Sequence, residues 1–129
     1  MSDSDERRAR GDAIKSALWG ERALGAGPPG MKVAPELFDG VSKSCFGEIW
    51  ARPGLDLRSR SLVTVAQLAA LGKTDELRAH LAGALRVGLS REELVEVLMQ
   101  TACYAGIPVA VQALNAAEPI LGSVSPKPE

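Results

Sequence analysis

Glycine and proline residues divide this chain of 129 residues into segments that are each about the length of one helix. Proline removes a backbone donor and glycine favours turns, so both residues mark the places where helices begin and end. No segment alternates apolar and polar residues with a period of two, and no Asn-Gly hairpin turn occurs. The sequence therefore predicts an all-α fold, a single-domain bundle of about six helices.

The N-terminal half predicts two helices. Residues 4 to about 24 form a charged, weakly amphipathic segment, and GAGPPG at 25–30 forms a loop. The second helix is predicted to start after Pro35 and to end before the breaker Arg52-Pro53-Gly54, with apolar positions at Leu37, Phe38, Val41, Cys45 and Ile49.

The next segment, residues 57–71, is apolar or small on almost every side after its first turn. Asp56 is its predicted N-cap and Gly72 its C-terminal stop. A helix that is apolar on every side is buried on every side. In so short a chain, we expect another subunit to cover part of it.

The last three helices are marked by capping signals. Thr74 is predicted to cap the first, which ends near Gly88, while Ser90 and Glu93 form a capping box for the second. Gly106 ends that helix.

Pro108 opens the last helix, which runs to about Leu121. The predicted domain covers residues 11–121, between a flexible N-terminus at 1–10 and a flexible tail at 122–129.

Charge and composition exclude several classes of function. The chain has 15 basic and 16 acidic residues and only 4% aromatic residues, so neither a nucleic-acid footprint nor a base-stacking surface is expected. No stretch approaches the roughly 18 apolar residues of a membrane span. The N-terminal residues lack the apolar core of a secretory signal, so the cytoplasm is the expected compartment.

Cys45 and Cys103 are far apart in sequence and predict two buried thiols in a reducing compartment. With a single histidine, the chain cannot assemble a Cys/His zinc site alone, so no metal is expected. Cys103 lies at a helix C-terminus, where the helix dipole disfavours a thiolate, so we interpret it as a packing residue.

His80 is the only side chain whose ordinary pKa lies near neutral pH. Helical spacing places it beside the stripe Leu77, Leu81 and Ala84. Two interpretations follow: a hydrogen-bonded core histidine, or a proton-transfer group.

Arg58 and Arg60 lie in the first turn of the helix capped by Asp56, where the positive helix dipole disfavours cations. This placement indicates either an anionic ligand, with Arg52 as a further contact, or ion pairs with Glu48 or with another subunit. The two arginines are about 200° apart around the helix, so one of them faces any given pocket.

Glu48 lies between Phe46 and Trp50 in FGEIWARPG. Burial among bulky apolar side chains would favour the protonated carboxyl, which suits a general acid or base. The alternative is an ion pair with Arg52 or Arg60. Trp50 is either a core residue or a pocket wall.

Taken together, four motifs resemble the carboxymuconolactone decarboxylase family: W-x-RPGL-x-x-R-x-R, EL-x-x-H, G-x-S-x-EE and YAG-x-P, in that order. The resemblance covers roughly residues 11–121. In the related alkyl hydroperoxidase D branch, a CxxC precedes the histidine, and its cysteine positions are Lys73 and Glu76 here. Thiol-based peroxide reduction therefore loses its dithiol.

The resemblance implies a ring-like homo-oligomer, a trimer or hexamer, that acts without a cofactor. It also implies 4-carboxymuconolactone as the substrate, in the protocatechuate branch of aromatic breakdown, with the enol-lactone of 3-oxoadipate and CO2 as products. The partner would be this small carboxylated lactone, with no nucleic acid and no membrane.

For such a substrate we expect His80 to act as general acid, Glu48 as its partner and Arg60 as a carboxylate binder. Further substrate contacts are expected from Arg58, Arg52, Trp50 and Tyr104. Two alternatives stay open: a peroxidase-related protein, which needs Cys45 and Cys103 to meet across chains, and a non-catalytic oligomer that binds an acidic metabolite.

Overall fold

The computed structural model describes residues 1–20 and 27–124, and all regular structure in these ranges is helical. The predicted all-α class is therefore confirmed. The α-helices are α1 (Asp3–Trp19), α2 (Pro35–Val41), α3 (Leu57–Leu71), α4 (Thr74–Arg86), α5 (Arg91–Ala105) and α6 (Ile107–Leu121). A 3₁₀-helix, Pro29–Lys32, precedes α2, and a π-helical segment, Ser42–Trp50, continues it. Within the described residues, no helix is long and apolar enough to cross a membrane.

Backbone contacts divide the chain into two compact units, Met1–Arg60 and Ser61–Glu129. The boundary falls inside α3, whose first four residues belong to the first unit. The described parts of each unit have their own packing.

In the first unit, α1 packs against the π-helical segment with the two backbones in contact. A Cβ atom added to Gly11 would lie 1.8 Å from the carbonyl oxygen of Ser42, and one added to Gly47 would lie 2.2 Å from that of Arg7. Only glycine fits at these two positions, because a real Cβ atom cannot approach a carbonyl oxygen so closely.

Ion pairs join α1 to the helices that it contacts. Arg7 binds Glu48 at 2.6 Å, and Arg8 binds Asp39, whose other oxygen lies 2.6 Å from Lys43.

The helix α1 already contains residues 3–10, the segment that was expected to be flexible. A capping box explains this early start, because the Ser2 hydroxyl accepts a hydrogen bond from the Asp5 backbone and the Asp5 carboxylate binds Ser2 in return. At its other end, α1 stops at Trp19, and the predicted extension to Leu24 lies outside the described residues.

The second predicted helix is present but changes its hydrogen-bond pattern along its length. It begins at Pro35, which occupies the first helical position, and becomes π-helical from Ser42 onward. The wider turn coincides with the segment that packs on α1. Apolar spacing alone carries no signal for such a change, because a π-helix arises from tertiary context.

The second unit has a core rich in leucine. Its close backbone pairs join α5 with α6 and α4 with α6. The core cluster consists of Val65, Ala69, Leu77, Leu81, Ala84, Leu89, Leu94, Leu98, Ala113, Ala117 and Leu121.

Most predicted helix boundaries in this unit are confirmed. The Ser90 hydroxyl accepts a hydrogen bond from the Glu93 backbone at 3.0 Å, and the Ser90 backbone donates to the Glu93 carboxylate at 3.0 Å. One cap was predicted wrongly: Thr74 is the first helical residue of α4, and the cap position is Lys73, which makes no side-chain cap. Gly72, with φ of +71°, turns the chain between α3 and α4.

Beyond α6, residues 122–124 have no regular structure, and the rest of the predicted tail lies outside the described residues.

We predict that Gly11→Ala lowers the free energy of unfolding by about 1–3 kcal/mol, because the new methyl group forces α1 away from Ser42. Gly40→Ala is the matched control: Gly40 is also helical, and its added Cβ has no atom within 4 Å. Alanine should be neutral or stabilising there. Urea unfolding of both variants measures the difference. Equal stabilities would contradict the close contact.

Candidate active site

His80 lies on the buried side of α4, between the fully buried Leu77 and Leu81. Its side chain is only 8% exposed. Removal from water disfavours the imidazolium ion and lowers the pKa of His80 to about 4. The single histidine of the chain is therefore neutral at pH 7 in this structure, and its expected role as general acid stays a prediction.

The arginines that were predicted to bind carboxylates lie around the start of α3. One Nη atom of Arg60 donates a hydrogen bond to the backbone carbonyl of Arg52 at 3.0 Å, so the structure brings these two residues together. Arg60 is partly buried, whereas Arg52 and Arg58 are exposed.

The predicted cap of α3 is confirmed. The Asp56 carboxylate accepts a hydrogen bond from the Ser59 backbone N–H at 2.7 Å. This hydrogen bond, helped by the nearby charge of Arg58, lowers the pKa of Asp56. A carboxylate thus already binds the helix N-terminus and partly offsets the unfavourable placement of the arginines.

The apolar neighbours of Glu48 in the sequence predicted a buried carboxyl group, but the structure leaves this group partly exposed. Its side chain is 44% exposed and binds Arg7 of α1 at 2.6 Å. The expected burial is wrong, and the ion pair that the structure shows joins Glu48 to Arg7 and not to Arg52 or Arg60. Arg7 lies 41 residues away in sequence, so only the tertiary fold reveals this pair.

Trp50 belongs to an aromatic cluster in the first unit. Its ring centroid lies 5.6 Å from that of Phe46, which meets Trp19 edge-to-face at 5.9 Å. Trp50 is 8% exposed. The packing favours the core interpretation, and a substrate contact by Trp50 stays a prediction.

Tyr104 lies at the rim of a groove between α3 and α5 in the second unit, where it is 89% exposed. The groove has a volume of about 470 Å³ and no charged side chain in its lining. Its polar lining groups are Gln67, Gln100, Thr101 and Tyr104, and its apolar ones are Leu62, Val63, Ala66, Ala70, Val97 and Ala105.

Both cysteines are exposed on the chain, so the prediction of two buried thiols is wrong. Cys103 lies on the side of α5 that carries Met99 and Gln100, which this chain leaves uncovered. Among residues 1–20 and 27–124, no group of three or more His, Cys, Asp or Glu side chains is arranged to hold a metal ion.

The predicted site residues thus fall into two sets. Glu48, Trp50 and the three arginines belong to the first unit, and His80 and Tyr104 belong to the second. Sequence reasoning missed two polar features of the second unit: the groove amides Gln67 and Gln100, and the fully buried Ser61. A polar residue on an otherwise apolar helix is the signal that could have found them.

Comparison with known proteins gives one family and three relatives. The model of the Carboxymuconolactone decarboxylase family matches residues 35–119. A 4-carboxymuconolactone decarboxylase of Acinetobacter baylyi is 33% identical over 126 residues, which cover 97% of this chain and 94% of the relative.

The other two relatives are more distant. The nitrosuccinic acid decarboxylase npaB of Metarhizium robertsii is 29% identical over 95% of this chain and 82% of its own length. An uncharacterized 15.0 kDa protein of Paracoccus denitrificans is 29% identical over 69% of this chain and 68% of its own length.

We predict that the free energy of unfolding falls as the pH drops from 6.5 toward 4. The unfolded chain takes up a proton at the ordinary histidine pKa of about 6.5, whereas folded His80 resists protonation until about pH 4. The expected loss is about 3 kcal/mol across this window, at no more than about 1.4 kcal/mol per pH unit. Well above pH 6.5, the full free energy of unfolding is retained, because His80 is neutral in both the folded and the unfolded chain.

Urea unfolding at several pH values measures this slope. Above about pH 5, where carboxylates contribute little, His80→Gln should remove most of it because no other histidine exists. An unchanged slope in the variant would contradict the assignment.

Proposed function

The chain belongs to the carboxymuconolactone decarboxylase family, and we propose that it removes CO2 from 4-carboxymuconolactone or a closely related acidic lactone. Its family and its two named relatives support a decarboxylase. The observation that carries the choice of substrate is the match of nearly the whole chain to a 4-carboxymuconolactone decarboxylase.

The acids for which the two relatives are named have a common chemistry. Each carries two carboxyl groups and one electron-withdrawing group, a conjugated lactone carbonyl in one and a nitro group in the other. That group can accept the electron pair that departing CO2 leaves behind. A site that serves this chemistry needs to hold a carboxylate and to supply a proton.

In the proposed reaction, the bond between the ring carbon and its carboxylate breaks and CO2 leaves. The electron pair moves through the double bond onto the lactone carbonyl and gives a dienolate. Protonation at carbon then forms the enol-lactone of 3-oxoadipate. No net oxidation occurs, and one proton is taken up for each CO2 released.

We assign the proton transfer to His80. Its burial makes the imidazole neutral in the free chain, so its role as a general acid requires that it gains a proton when substrate binds. The two negative charges of the lactone favour this gain, because an opposite charge stabilises the imidazolium ion. The apolar surroundings also favour loss of charge from the departing carboxylate.

The arginines at the start of α3 are suited to hold a carboxylate of the substrate. A guanidinium group binds a carboxylate through two parallel hydrogen bonds and can offset negative charge on a dienolate oxygen. Arg60 is the first choice because its bond to the Arg52 carbonyl restricts its position. Arg58 and Arg52 are further substrate contacts. Glu48, paired with Arg7, is retained as a proton-exchanging group in this proposal.

We also propose that the chain acts as a homo-oligomer, a trimer or a hexamer. The support is the apolar surface of the second unit, where large apolar or aromatic side chains of consecutive helices are exposed: Met99, Tyr104, Ile107, Val111 and Leu114. Exposed apolar patches of this kind mark interfaces. Val63 and Leu71 of α3 are also exposed, as expected for a helix that needs a further cover.

We predict that purified protein releases CO2 from 4-carboxymuconolactone and that His80→Gln lowers kcat by about 100-fold or more. Arg60→Gln should raise KM by about tenfold or more, because a charged hydrogen bond to substrate is lost. Arg86→Gln, which removes an exposed arginine from the end of α4, is the matched control and should keep wild-type kinetics.

Product mass and CO2 release measure all three variants, with circular dichroism to establish that each is folded. Wild-type kcat in His80→Gln would remove this residue from the mechanism. No turnover by the wild-type protein would contradict the choice of substrate.

We predict that Val111→Asp dissociates the oligomer, because a carboxylate buried in an apolar interface has no compensating partner. Val33→Asp changes an equally large exposed side chain in the first unit, 86% exposed, and serves as the control. Sedimentation velocity should give a smaller particle for Val111→Asp alone. A monomeric wild-type protein, or equal masses for all three, would contradict the proposed interface.

A further inference from the structure

Ser61 of α3 is a buried polar residue that the fold does not use. Its side chain is fully buried, and its hydroxyl has no hydrogen-bond partner among the residues that the structure describes. Leaving a buried hydroxyl unpaired destabilises a protein, so natural proteins contain few of them and each calls for an explanation.

Ser42 is a second buried serine with which Ser61 can be compared. Ser42 is equally buried, but its hydroxyl oxygen accepts a hydrogen bond from the Lys15 Nζ at 3.1 Å. Within residues 1–20 and 27–124, two serines are thus buried, one with a hydrogen-bond partner and one without.

The position of Ser61 connects it to the part of the second unit that contains His80. Ser61 lies one helical turn before Val65 on the same buried side of α3, and His80 directly precedes Leu81 on α4. Val65 and Leu81 belong to one core cluster. Both polar side chains therefore border the same apolar core, where an additional hydrogen bond to a charged group is strong.

The nearest cavity runs along the same helix. A groove of about 470 Å³ lies between α3 and α5 and begins at Leu62, the residue after Ser61 in the chain. Ser61 is fully buried and does not line this groove, so its contact with a ligand requires a local opening of α3.

We propose that the Ser61 hydroxyl binds substrate in the decarboxylase site by donating a hydrogen bond to an oxygen of the bound acid, which rests on the function proposed above. The free chain leaves this donor without a partner, and the substrate supplies the acceptor. Such a residue lowers the stability of the empty protein and serves binding.

The test replaces each buried serine by alanine. Ser61→Ala should unfold at the same urea concentration as the wild-type protein or at a higher one, because it removes an unpaired polar group. It should also lower kcat/KM for 4-carboxymuconolactone by about tenfold or more, since a hydrogen bond to a charged group is lost. Ser42→Ala should do the reverse, with a lower urea midpoint and turnover retained by the folded protein.

Two results would overturn the proposal. One is a kcat/KM in Ser61→Ala within twofold of the wild-type value. The other is a fall in its urea midpoint as large as that of Ser42→Ala, which would mean that the hydroxyl has a structural partner.

Absence of turnover in the wild-type protein would contradict the function proposed above without deciding the role of Ser61. Thermal stabilisation by 4-carboxymuconolactone and by nitrosuccinic acid then decides it. Stabilisation of the wild-type protein that is lost in Ser61→Ala supports the proposal. Equal stabilisation of both proteins, or stabilisation of neither, overturns it.

Discussion

The burial of His80 beside leucine side chains is the constraint on which the proposed chemistry of this protein depends. An imidazole that is 8% exposed has a pKa of about 4 and remains neutral at pH 7. Burial of the only histidine lowers stability in mild acid, and no hydrophobic side chain of similar size would do so. In the proposed reaction, this residue gains a proton when an anionic substrate binds.

The two units are stabilised by different interactions. In the first, glycines let the backbones of α1 and the π-helical segment touch, and ion pairs such as Arg7–Glu48 join the helices. In the second, apolar side chains of four helices form one core, and the polar residues within it are few. Ser61 and His80 are two of them, so the second unit combines an apolar interior with a small number of buried polar groups.

Local signals in the sequence predicted much of the fold. The capping box at Ser90 and Glu93 and the cap at Asp56 depend on residues within one helical turn, so reading neighbours is enough to place them. The site was harder to predict because it depends on distant residues. The partner of Glu48 is Arg7, which only the contact between α1 and the π-helical segment brings close, and the exposure of Cys103 depends on which helices cover α5.

The most direct test of this account is an NMR titration of the single imidazole in the folded protein, from pH 8 to the acid limit of folding. The imidazole signals can be assigned to His80 directly, because the chain has no other histidine. We predict a neutral ring throughout the neutral range, with protonation only as the pH approaches 4. A midpoint near the ordinary value of about 6.5 would contradict it, since the imidazole would then be solvated in the free protein.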